Sequence, residues 1–152
     1  MGNKNISLKE IFISAAKNHQ KGNYEIAKNL YKKILDINFN HVETHYNLGV
    51  LHGDLGEHQK AISCYEKAIQ INSNYIAAYY NLGKIFNKLN EPQKAISYYE
   101  KAIQINSNQA DVHNNLGVIF KNLREHQKAI SCFEKAVKID PDYVNAYNNL
   151  GT

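Results

Sequence analysis

Long apolar runs are missing from this 152-residue sequence, in which charged residues make up 21% and break up every hydrophobic stretch. Nothing approaches the ~20 consecutive apolar residues that a membrane-crossing helix needs. The short IFISAA run from Ile11 to Ala16, behind Lys9 and Glu10, is too brief and wrongly flanked for a secretion signal, so no membrane association is expected. The sequence also lacks a phosphate-cradling glycine loop, a nucleophile elbow and a paired-carboxylate arrangement. No catalytic residue and no cofactor is therefore expected, and the chain does not read as an enzyme. Cysteine occurs only twice, too thinly for a disulfide framework.

What is present is repetition. Gly49, Gly83, Gly117 and Gly151, each preceded by Leu, recur every 34 residues, as do Ala27, Ala61, Ala95 and Ala129. A fixed period in this range marks a solenoid, in which each unit buries its apolar surface against its neighbours. Cys64 and Cys132 occupy one repeat position two copies apart. They are too distant for the ~7 Å Cα limit of a disulfide, which leaves free thiols and agrees with a reducing, cytoplasmic setting.

The unit from Ile76 to Gln109 shows how the pattern works. Tyr79, Leu82, Gly83 and Phe86, at unit positions 4, 7, 8 and 11, share one face of a helix, and Ala95, Tyr99 and Ala102 at positions 20, 24 and 27 form the facing stripe of a second. Between them lies Leu89-Asn90-Glu91-Pro92, with Pro92 suited to a first helical turn and Asn90 expected as its cap. The unit is a helical hairpin. Gly83 and Ala95 are small where the two helices must approach closely, so a larger side chain at Gly83 is expected to overpack the crossing.

These residues resemble the tetratricopeptide repeat, a 34-residue helix–turn–helix with an aromatic at position 4, Leu-Gly at 7 and 8, and Ala at 20 and 27. The resemblance extends over nearly the whole chain, and the repeats are similar to those of bacterial repeat proteins and of O-linked N-acetylglucosamine transferases. Departures are His45 and His113 at position 4, His52 at position 11, and Ser73 and Ser107 at position 32, where only Pro141 conforms. The implied fold is all-α, a right-handed superhelical solenoid of antiparallel helix pairs. It divides into a flexible lead (residues 1–7), a divergent first repeat (8–41), three regular repeats (42–75, 76–109 and 110–143), and the first helix of a truncated fifth repeat or cap (144–152). The chain is accordingly read as part of a longer protein.

In stacked hairpins of this family the first helices line the concave surface. Asn47, Asn81, Asn115 and Asn149 all stand at position 6 there, and an amide pairs with the main chain of an extended peptide whatever its side chains. Tyr46 and Tyr80 add flat contact area at position 5, and Lys84, Lys88 and Lys121 add positive charge. The resemblance thus implies a protein or peptide partner held in the groove. The alternatives are a substrate-recruiting region of a larger enzyme such as a glycosyltransferase, and a scaffold that self-associates through the C-terminal edge at Tyr147 and Leu150. The net charge of +4 does not argue for nucleic acid, because Lys60, Lys94 and Lys128 each follow a Glu by three residues. The histidines do not form a closed ligand set, so no metal site is expected.

Overall fold

Helix formation begins from the caps. The computed structural model describes residues 7–151; of the expected lead, residues 1–6 lie outside the described residues. Ser7 caps the first helix: its hydroxyl accepts from the Glu10 amide at 3.2 Å, and the Glu10 carboxylate accepts from the Ser7 amide at 2.8 Å. This reciprocal capping box holds the Glu10 carboxyl below its ordinary range, through the backbone bond first.

The described residues contain nine α-helices and no strand. They fall into two units, residues 7–73 and 74–151. The first unit contains α1 (Leu8–Gln20), α2 (Tyr24–Ile37), α3 (Val42–Asp54) and α4 (His58–Ile71). The second contains α5 (Ile76–Lys88), α6 (Pro92–Ile105), α7 (Ala110–Asn122), α8 (His126–Ile139) and the short α9 (Val144–Leu150). Each odd-numbered helix from α1 to α7 packs most closely on the even-numbered helix that follows it.

The crossing is tighter than its small residues alone suggest. Tyr31, Tyr65, Tyr99 and Phe133, all at position 24, are buried, and in the three regular repeats the ring lies against the glycine of the partner helix. A Cβ placed on Gly83 would lie 2.5 Å from the Tyr99 ring, and one on Gly117 the same distance from Phe133. It is therefore the aromatic ring of position 24, rather than Ala95, that requires glycine at position 8.

Inside every hairpin, position 15 adopts the left-handed conformation: Gly22 (φ 76°), Gly56 (φ 73°), Asn90 (φ 59°) and Arg124 (φ 61°). Asn90 is thus not the cap of α6. It reverses the chain after α5, with the Glu91 amide reaching back to the Phe86 carbonyl at 2.9 Å, and Glu91 occupies the cap position without a side-chain bond to the helix's free amides. Asparagine tolerates this backbone region better than most residues, which explains its presence here as well as a cap would. Between hairpins, Asn38, Asn106 and Asp140 close Asx turns by accepting from the amides two residues on, at 3.1, 2.9 and 3.1 Å.

The histidines at position 4 keep the packing role of the aromatic they replace. His45 and His113 are buried, and each donates Nε2–H to a carbonyl of the preceding loop, Phe39 at 2.8 Å and Ser107 at 3.1 Å. The Glu–Lys pairs lie on the second helices, where Lys60 meets Glu57 at 2.8 Å, Lys94 meets Glu91 at 2.6 Å, and Lys128 meets Glu125. Lys94 and Lys128 also rest over Phe86 and Phe120, at 5.0 and 5.2 Å from the ring centroids.

Candidate functional site

The predicted groove residues sit on the first helices of both units. In the first unit, Tyr46 and Asn47 lie half-buried on α3, with the Tyr46 ring against Tyr65 at 5.7 Å between centroids. A position 12 to position 13 contact links consecutive first helices in the same unit: His19 on α1 pairs with Asp54 on α3 at 2.9 Å.

In the second unit the arrangement is more informative. The Asn115 amide on α7 donates to the Tyr80 hydroxyl on α5 at 3.2 Å, and the Asn149 amide on α9 donates to the Asn114 side-chain oxygen on α7 at 3.0 Å. Both bonds join position 6 of one repeat to position 5 of the repeat before it, 35 residues back. The asparagines are therefore tied into the protein's own framework as well as facing the surface. A carboxamide has two N–H donors and an oxygen acceptor, so the bond from Asn115 to Tyr80 uses one of its donors and fixes the plane of the group.

Tyr80 is the hub of this cluster. Its ring packs on Tyr99 at 6.0 Å, Lys84 Nζ lies 5.5 Å from its centroid, and burial raises its phenol above the ordinary range, so it stays neutral and accepts the Asn115 bond. Lys84 and Lys88 are exposed, Lys121 is half-buried, and Asn81 is half-buried on α5. Tyr143, just before α9, donates to Asp111 at 2.6 Å, and burial first, then that bond, push its phenol up to about 12.

Tyr143 is the member that sequence reasoning did not place in the cluster. Asn114 stands where Tyr46 and Tyr80 stand in earlier copies, as the repeat register gives it. The pairing of positions 5 and 6 across a repeat boundary had no sequence signal, because it depends on how one hairpin rests on the next. Among the described residues no group of three or more His, Cys, Asp or Glu could hold a metal ion, and no helix is long and apolar enough to cross a membrane.

Helical hairpins repeated in register, with glycine under a buried aromatic at the crossings of the three regular repeats, define an all-α repeat solenoid. Family models described as tetratricopeptide repeat match residues 18–41, 40–108 and 110–143, and the chain belongs to that family. No curated protein sequence matches it. Similar solved structures include a crystal structure of MamA at 34% identity and TM-score 0.82, covering 90% of this chain and 80% of that one. MamA residues 41 to the end from Desulfovibrio magneticus RS-1 match at 24% identity and TM-score 0.84, covering 99% and 84%. YrrB, a repeat protein of this family with an unusual peptide-binding site, matches at 22% identity and TM-score 0.80, covering 97% and 76%. At those two identities the likeness concerns the fold. As a member of this family, the chain is a protein–protein interaction module.

Proposed function

We propose that the module binds an extended polypeptide along its first helices. Asn47, Asn81, Asn115 and Asn149 hold the ligand's main chain, Tyr46 and Tyr80 contribute contact area, and Lys84, Lys88 and Lys121 favour acidic side chains. The observation that carries this reading is the register of hydrogen bonds from Asn115 to Tyr80 and from Asn149 to Asn114. Each bond fixes an amide at a one-repeat interval before any ligand arrives, so less rotamer entropy is lost on binding. A main chain offers alternating N–H and C=O groups, which an amide row matches without regard to sequence. Selectivity then falls to Lys84, held above Tyr80. Affinity should be modest, because an unstructured ligand loses conformational freedom when it binds.

The test is a peptide array screened with the wild type and with a variant carrying Ala at Asn47, Asn81, Asn115 and Asn149, both checked for helicity by circular dichroism. Loss of bound peptides with helicity intact is the expected result. Retention of the same peptides by the variant would refute the role of the asparagines.

A further inference from the structure

The second helices carry a feature that the asparagine row does not use. In the first unit, a crevice of about 520 Å³ opens between α2 and α4 over a floor that includes His45, Leu48 and Cys64. The Phe39 ring also lines it, edge-on to His45 at 5.6 Å and 80°, with Lys67 Nζ 5.0 Å from its centroid. The second unit has the corresponding crevice of about 650 Å³ between α6 and α8, over His113, Leu116 and Cys132.

Two aromatic rings found at equivalent positions elsewhere in the chain are missing from this second crevice. The counterpart of Phe39 is Ser107, which supplies no ring between His113 and Lys135. The counterpart of Cys132 in the preceding repeat is Tyr98, which stacks on Phe86 with centroids 5.3 Å apart and planes within 4°. Phe120, the counterpart of Phe86, lines the crevice; Lys128 covers one face, and among the described residues no ring stacks on the other. The charge at the rim is also uneven. Lys128 is paired with Glu125, whereas Lys135 makes no ion pair among the described residues, Glu100 lining the α6 side of the crevice without bonding to it.

We propose that the crevice bounded by α6, α7 and α8 is a second recognition site, which takes an aromatic side chain of a partner polypeptide flanked by a carboxylate. The ring seats on Phe120 as Tyr98 seats on Phe86, and the carboxylate meets Lys135. Offset or parallel stacking on a buried ring and a cation beside it are the contacts that select an aromatic over an aliphatic group. None of the first-helix asparagines lines this crevice, so the site stands independently of the row proposed above.

The probe is a synthetic pentapeptide, Gly-Asp-Phe-Asp-Gly with blocked ends, titrated into the full chain and followed by backbone amide NMR. Saturating shifts at His113 and across Ser131 to Lys135 are expected. Replacing the probe's Phe by Leu, or its Asp residues by Lys, should weaken binding about tenfold. Cys132→Tyr, which supplies the missing ring from within, should abolish the shifts, and Lys135→Glu, an exposed change that leaves the crevice intact, should make the Lys-flanked probe the better binder. The proposal is overturned by an absence of saturable shifts around the crevice at millimolar probe, or by equal binding of the Leu probe. A folded Cys132→Tyr chain that still binds would overturn it too, and if that variant does not fold, an unchanged charge preference in Lys135→Glu decides against it. Loss of the same shifts in Asn115→Ala would assign the probe to the first-helix row and also overturn the crevice.

Discussion

Gly83→Ala isolates the contact on which the hairpin crossing depends. The new Cβ would lie 2.5, 2.7 and 2.8 Å from three atoms of the Tyr99 ring, closer than real Cβ contacts come. Tyr99 is only 1% exposed and rests on Tyr80, so its ring cannot swing into solvent. Overpacking of this kind costs about 1–3 kcal/mol. Alanine returns about 1 kcal/mol in helix propensity, which leaves a net loss of roughly 0–2 kcal/mol. For a chain of this length each kcal/mol shifts a thermal midpoint by about 2–4 °C, within reach of a circular dichroism melt. The decisive comparison is the same substitution in a Tyr99→Ala background. With the ring gone the clash disappears while the propensity gain stays, so the effect should change sign and become stabilising by up to about 1 kcal/mol. Gly53→Ala serves as the control, since nothing lies within 4 Å of its added Cβ, and it should stabilise by about 0.5–1 kcal/mol. Equal effects of Gly83→Ala in the two backgrounds would refute the contact as the reason for the glycine.

Burial, which outweighs the bonds to Phe39 and Ser107, holds His45 and His113 below the ordinary histidine value of 6.5. Below that value the unfolded chain takes up protons that the folded chain refuses, so stability rises with pH across the window and is lost as pH falls from 6.5 toward the depressed folded-state values. Urea midpoints at mildly acidic and neutral pH should show this, and His45→Phe with His113→Phe should reduce the slope; an unchanged slope would count against it. Burial also pushes the Cys64 thiol up to about 11, leaving roughly one part in a thousand as thiolate at pH 8. Alkylation of Cys64 should be slower in the folded protein than in urea, and equal rates in both would contradict its half-buried placement.

The 34-residue period, the hairpin and its core stripe follow from the sequence alone, because amphipathic spacing and repetition are local. Leu82, Gly83, Ala95, Tyr99 and Ala102 are buried as their spacing predicts, although Tyr79 is only half-buried. Position 3, occupied by Thr44, Ala78, Val112 and Ala146, is buried without having been singled out, because small or mixed residues give a weak periodic signal. The left-handed turn at Asn90 was legible only by comparing its copies, Gly22 and Gly56, since asparagine serves both as a cap and in that backbone region.

The candidate site divides in the same way. That Asn47, Asn81, Asn115 and Asn149 share one position is a property of the chain read in order. That Asn115 reaches Tyr80, Asn149 reaches Asn114, and Phe120 faces a crevice where Phe86 meets a ring is decided by how one hairpin packs against the next. A helix period encodes which face is buried. It does not encode which residue of the neighbouring repeat that face meets, because that pairing is fixed by the rigid-body fit of whole side chains at the interface.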